Sequence, residues 1–340
     1  MSLAEPLRVG IVGCGNISDI YLRNLAKFEE TAVVAVTDLD AGKAQAAARD
    51  YGVEVEPDVA SILARSDVDL VLNLTVPAAH FEASLRALES GKHVYSEKPL
   101  ALAVAEGNAL VDLAEKNRLL LGCAPDTVLG AGIQTCVALV DRGEIGEVVG
   151  ANAFMLCAGH ESWHPSPEFY YRPGGGPLFD MGPYYLAALF FLLGEVDEVC
   201  GLHRATFPTR TITSQPLAGT VIQVETPTHI ALTMHHVSGA ISSLTTSFDV
   251  QASLLPPIEL YGTEGTLLVP DPNTFGGPVR LKRKGAPDWV DVDLEFDYAE
   301  NSRGLGVRDM AIALREGRDP ELSGELALHA LEIMESVLSD

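Results

Sequence analysis

Five short strand-like runs punctuate the first third of this chain, at residues 7–12, 32–38, 70–76, 92–99 and 119–123. Between them apolar residues recur about once per helical turn, as at Ile17, Tyr21, Leu25 and Phe28, and again over 41–50, 78–88 and 102–116. Strands alternating with helices at this spacing predict βαβ units and a parallel sheet. The runs lack a clean polar–apolar alternation, so both faces of that sheet must be covered.

The character changes near Cys123. A crossover helix is expected over 129–142, and strands beyond it alternate polar and apolar residues. The clearest pair is THIALTMHH (228–236) with GAISSLTTSF (239–248), hinged at Ser238-Gly239. Further strands are expected at 257–262, 265–269 and 279–283, and helices return over 302–316 and 323–338. The reading is therefore an α/β chain: a doubly wound parallel domain over 1–123, then a domain over 124–340 built on an antiparallel sheet. The 340 residues exceed what one core comfortably serves, which also predicts two domains.

Bulk properties narrow the function. A formal net charge of −24 argues against nucleic acid or an anionic membrane as partner. No apolar run is expected to reach the roughly 18–20 residues of a membrane helix, and MSLAEPLRV lacks the basic and apolar regions of a secretory signal. The five cysteines are scattered with no Cys-x-x-Cys pair, so free thiols in a reducing cytoplasm are expected rather than a disulfide framework or zinc site.

The first strand runs into VGIVGCGNIS (9–18). A diphosphate-binding turn needs one residue free to adopt positive φ, a second without a side chain, and a helix starting at once to aim its amides at the anion. Gly13 and Gly15 meet the first two needs, with Asn16 and Ile17 leading into the helix; Ser18 stands where a third glycine completes the fingerprint. Asp38 ends the second strand, where a carboxylate accepts hydrogen bonds from the adenosine ribose and repels a 2′-phosphate. NAD is thus expected over NADP. A helix-capping role before LDAGK is the competing reading of Asp38.

GCGNIS, TVPAAH (75–80), GKHVYSEKPLA (91–101) and DMGPYY (180–185), in this order, resemble the glucose–fructose oxidoreductase / inositol dehydrogenase / MocA-type family of NAD(P)-dependent oxidoreductases. The resemblance implies a Rossmann domain followed by a domain with a large, open, mostly antiparallel sheet that commonly mediates homodimers or homotetramers. It implies that Thr75, Pro77, His80, Glu97 and Lys98 lie at the cofactor, with the nicotinamide beside the Glu-Lys-Pro loop. Lys98 then touches substrate and cofactor together, and Glu97 holds the lysine or contacts the nicotinamide ribose.

The family often carries Asp-x-Gly-x-x-x-His or Asp-x-Gly-x-His where this chain has Asp180-Met181-Gly182-Pro183-Tyr184. Tyrosine replaces the histidine, as in some members. A phenol titrates near 10 (roughly) when unperturbed, and a neighbouring ammonium favours the phenolate. Tyr184 is therefore the candidate acid/base with Lys98 lowering its pKa, and Asp180 fixes the substrate hydroxyl or caps its helix.

His160 and His164 are four apart, but Gly159, Pro165 and Pro167 predict a loop, and no metal is expected there. Trp163 and His164 are read instead as substrate-lining, since an indole stacks on a sugar face. His235 and His236 point to opposite faces of a strand. The sum is a cytoplasmic, NAD-preferring, homo-oligomeric dehydrogenase acting on a secondary hydroxyl of a neutral sugar, sugar derivative or cyclitol. A reductase of a dihydrodiol, enone or imine, or a non-catalytic NAD(P)-sensing regulator, are the alternatives.

Overall fold

A computed structural model describes residues 5–339. The chain runs β1 (Leu7–Val12), α1 (Ser18–Leu25), β2 (Thr31–Thr37), α2 (Ala41–Tyr51), β3 (Glu54–Val55), α3 (Val59–Ala64), β4 (Leu70–Asn73), α4 (Pro77–Glu89), β5 (His93–Ser96), α5 (Val104–Asn117) and β6 (Leu121–Cys123). It continues with α6 (Ala131–Asp141), β7 (Val148–Leu156), α7 (Gly176–Leu193), β8 (Val196–Arg204), β9 (Thr209–Thr211), β10 (Val221–Gln223), β11 (His229–His236) and β12 (Ile241–Ser247). Then come β13 (Ile258–Gly262), β14 (Gly265–Val269), β15 (Val279–Arg283), β16 (Val290–Val292), α8 (Leu305–Glu316) and α9 (Gly324–Ser339).

The first six strands form one parallel sheet in the order β3-β2-β1-β4-β5-β6. The order reverses between β1 and β4, and the crevice outside the carboxyl ends of strands at such a reversal is where doubly wound sheets bind ligands. One face of the sheet is covered by a core of Leu7, Val9, Ile11, Tyr21, Leu25 and Val36. The other face is covered by Ile62, Val71, Leu88, Val94, Leu110 and Leu121. Cover on both sides explains why β1 and β4 read as unbroken apolar runs. Arg8, the one residue of β1 that is not buried, leans out to Asp69 at 2.7 Å.

The chain does not divide at a single point. One compact unit comprises residues 1–126 with 301–331, and the other 127–300 with 332–340. The boundary expected at 123 is close, but α8 returns to the parallel sheet, where Val307, Met310 and Ala311 join the core around Leu7 and Tyr21. Leu328 of α9 does the same on the opposite face. The amphipathic pattern of α8 shows a buried face without showing which sheet it covers, hence the difference.

In the second unit eight strands form a sheet in the order β16-β15-β14-β13-β7-β12-β11-β8. Every neighbour pair is antiparallel except β7 with β12. Strand β11 buries Ile230, Leu232 and Met234 and exposes the residues between, the alternation of a sheet with one face on a core. Its adjacent histidines His235 and His236 part as expected: His235 is exposed against Asp197, and His236 is buried on the Gly194 carbonyl and Ser242. Helix α7 packs on β7, β11 and β12. It corrects the expectation that no stretch reaches membrane-helix length: Gly176–Leu193 is long and apolar enough, and 83% of it is buried within the fold.

Candidate active site

Strand β1 delivers the chain to the glycine turn. Gly13 has φ +102°, and a Cβ there would stand 2.6 Å from the Leu74 carbonyl oxygen, so no side chain fits. A Cβ on Gly15 would meet nothing within 4 Å, which leaves open space over the backbone. The Ser18 hydroxyl donates to the Gly15 carbonyl at 2.7 Å and its amide does so at 3.1 Å. Serine in the third glycine's place closes the turn with its own side chain. Helix α1 starts at that residue with Ile17 as N-cap and no side chain bonded to its first turn, the end of a helix that favours an anion. Asn16 is exposed at the crest of the turn, and Ile17 rests against the core.

Asp38 lies just beyond β2 with its Oδ2 accepting the Cys14 amide at 2.6 Å and its Oδ1 accepting the Asp40 amide at 2.7 Å. The cap of α2 is Asp40, whose carboxylate takes the Gly42 amide. Asp38 is thus tied to the glycine turn rather than to the helix.

The loops after β4 and β5 are fastened to each other. The Thr75 amide and hydroxyl both donate to Asn73 Oδ1, at 3.2 and 2.7 Å, and Pro77 is the first residue of α4. His80 is 1% exposed, with Nδ1 2.7 Å from the Pro99 carbonyl and Nε2 3.0 Å from the Thr75 carbonyl. Burial holds its pKa below the ordinary value against the opposing pull of both carbonyls. Both nitrogens are taken, and the ring joins the Thr75 loop to the Glu-Lys-Pro loop. Glu97 accepts the Tyr21 hydroxyl at 2.8 Å and the Lys98 amide at 3.1 Å, while its own amide donates to Asn73 at 2.9 Å. The carboxylate therefore anchors the backbone at Lys98, whose bond to Pro99 is cis.

In the second unit the glycines at 175 and 176 let the chain enter α7 closely packed. A Cβ at Gly175 would stand 2.5 Å from the Phe169 carbonyl, and Gly176 has φ +79°. Gly175 is the N-cap, so Asp180, fifth in the helix, does not cap it. Tyr184 is one turn further on along the same face and 7% exposed. Residues 160–164 form a turn rather than a helix. Trp163 is 60% exposed, and the ring of His164 lies edge-on to Trp163, Phe169 and Tyr170. His160, considered in the sequence only for metal binding, places Nε2 3.8 Å from Asp180 Oδ2.

A support invisible in the sequence holds this loop. Arg210 on β9 donates to Glu161 at 3.0 Å, to the Phe248 carbonyl at 3.1 Å and to Asp249, while Thr228 donates to Asp249 at 2.7 Å. Its guanidinium also lies over the rings of Tyr171 and Phe207. The three charged side chains are nearly buried, and buried charge persists only when paired. Hydrogen-bond partners 38 to 49 residues away leave no local pattern to read.

Residues 7–124 match the family described as "Oxidoreductase family, NAD-binding Rossmann fold" (GFO/IDH/MocA), and residues 133–268 match the GFO/IDH/MocA C-terminal domain. The dTDP-3,4-didehydro-2,6-dideoxy-alpha-D-glucose 3-reductase of Saccharopolyspora spinosa is 31% identical over 333 residues, covering 92% of each chain. An inositol 2-dehydrogenase of Saccharopolyspora erythraea is 35% identical over 142 residues, 41% of this chain and 42% of that one. Levoglucosan dehydrogenase, solved with NADH and levoglucosan, superposes with a TM-score of 0.82 at 18% identity, over 98% of this chain and 96% of that one. At that identity the likeness shows the shared fold.

Proposed function

This chain belongs to the GFO/IDH/MocA oxidoreductase family, and we propose that it is an NAD-preferring dehydrogenase of a secondary hydroxyl, or reductase of the ketone, on a monosaccharide, sugar derivative or cyclitol. The observation that carries this reading is the glycine turn: no room at Gly13, open space at Gly15, and no side-chain cap at the head of α1. Those are the requirements of a diphosphate. When bound, the nicotinamide supplies the hydride acceptor for oxidation and the donor for reduction. All other tasks fall to side chains of this chain.

Each oxygen of Asp38 accepts one backbone amide and keeps acceptor capacity for a ribose hydroxyl. A 2′-phosphate beside that carboxylate is repelled, which supports NAD over NADP. The Lys98 ammonium stabilises the alkoxide that develops as the hydroxyl loses its proton. Tyr184 takes that proton and returns it in the reverse direction. Asp180 accepts a hydrogen bond from a substrate hydroxyl, and the exposed indole of Trp163, with His164 beside it, offers a face for a sugar ring. Relatives named for a deoxysugar ketone and for inositol support this substrate class.

The same reading includes two features of setting. Free cysteines at all five positions fit a reducing cytoplasm. Leu202 and Ile241, exposed on the outer face of the second sheet, fit a homo-oligomer formed through that face.

The test is nicotinamide absorbance with myo-inositol, methyl glucoside, levoglucosan and a dTDP-linked ketosugar, in both directions, with NAD and NADP. We expect turnover of at least one, with kcat/KM at least about tenfold higher for NAD, the effect of one misplaced charge. Tight NAD binding with no turnover of any would favour a regulator.

A further inference from the structure

His160 is a buried polar group to which the function just proposed gives no task. It is 8% exposed and boxed by aromatic rings, with centroids at 4.0 Å to Tyr170, 4.5 Å to Phe248 and 5.2 Å to Trp163. Neither ring nitrogen has a hydrogen-bond partner. An imidazole buried in that state is costly, and a group kept so in a native fold calls for a reason.

The geometry around the ring supplies one. Its backbone is fixed: the amide donates to the Tyr171 hydroxyl at 3.4 Å, and the carbonyl accepts from the amide of His164 at 3.0 Å. The next residue, Glu161, is locked by Arg210. The ring is thereby held with Nε2 facing Asp180 Oδ2 at 3.8 Å, just beyond the hydrogen-bond range of about 2.7–3.2 Å. Hydrogen bonds of working sites are often this long without substrate and shorten when it binds.

We propose that His160 is a positioning residue that acts through Asp180: with substrate bound, its Nε2–H donates to Oδ2 and aims the other carboxylate oxygen at a substrate hydroxyl. This rests on the reading of Asp180 as the hydroxyl acceptor. The imidazole comes from the loop twenty residues before Asp180.

The test uses the NAD-loaded full chain and whichever sugar or polyol of the panel above it turns over best. His160→Phe keeps the aromatic box and removes the donor; KM for that substrate rises on the order of tenfold, the worth of a hydrogen bond to a charged group. The NAD dissociation constant stays unchanged, and His160→Gln, which keeps an N–H donor, recovers part of the loss. In an Asp180→Asn background, His160→Phe has little further effect, because the group it acts through has changed. In parallel, ¹⁵N spectra of the histidine rings compare wild type with Asp180→Asn, and the His160 signal is expected to move. Equal losses in both backgrounds, or an unmoved His160 signal, overturn the proposal. If no sugar or polyol is turned over by the wild type, the proposed substrate class fails and the ring signal alone decides the pairing.

Discussion

At position 13 an added Cβ meets a carbonyl oxygen 2.6 Å away, and at position 15 it meets nothing within 4 Å. Two neighbouring glycines therefore serve different ends, and substitution separates them. Gly13→Ala must strain a positive φ and displace the Leu74 carbonyl, so it is expected to lose about 1–3 kcal/mol of stability together with NAD binding. Gly15→Ala leaves the fold intact, because the methyl group enters open space, but that is the space the proposed function gives to the diphosphate. Its melting temperature is expected to match wild type while NAD affinity falls at least about tenfold, the effect of roughly 1.4 kcal/mol. Thermal melts and NAD titrations on the pair check this; normal affinity in Gly15→Ala contradicts it. These glycines, and Asp38 after them, were legible in the sequence because the turn is local and each requirement falls on adjacent residues. The part His80 plays in joining two loops was not, because its partners are backbone carbonyls, and a carbonyl has no sequence signature.

The elements show the same division between local and distant causes. Strands β1, β2 and β4 announce themselves as apolar runs, and β11 and β12 as an alternating pair closed by Gly239 at φ +88°. Strand β8 exposes Asp197, Glu198 and Arg204 beside Cys200 and Leu202 and buries only Val196, so it shows neither an apolar run nor a clean alternation. Which sheet α8 serves was also hidden, and the reason is a long-range anchor. Asp126 is buried and accepts the amides of Gly304 and Gly306 at 2.6 and 3.3 Å, so it fixes the head of α8 from 178 residues away. Burial raises its pKa to about 6, with the Glu97 charge adding to the rise and the two amides opposing it. The folded state therefore holds this proton more tightly than the unfolded chain, whose aspartate titrates near 3.9 (roughly). Stability from this group is fully present below about pH 4 and declines as pH rises to about 6, by on the order of 2–3 kcal/mol. Asp126→Asn imitates the protonated acid and keeps an oxygen for the amides. Urea unfolding is expected to show variant and wild type alike near pH 4 and the variant more stable above pH 6. A stability difference independent of pH contradicts this origin.

On the scale of the whole molecule, two units are each assembled from separate stretches of chain. Composition and strand rhythm disclosed both, but a sequence is read in order and the return of residues 301–331 to the first unit breaks that order. Family membership fixes the oxidoreductase chemistry, and the parallel unit supplies a turn fit for a dinucleotide. In the proposed function a hydride passes between that dinucleotide and a carbon bearing a secondary hydroxyl, with Lys98 supporting the charge on oxygen. Deuterium tests it most directly. The purified chain is incubated with NAD and polyols deuterated at their carbinol carbons, and the nicotinamide is recovered for mass spectrometry. Deuterium is expected in the nicotinamide of the wild type with at least one polyol, and none from a Lys98→Met variant that still binds NAD. Nicotinamide that stays unlabelled with every polyol, or labels equally fast in Lys98→Met, contradicts it.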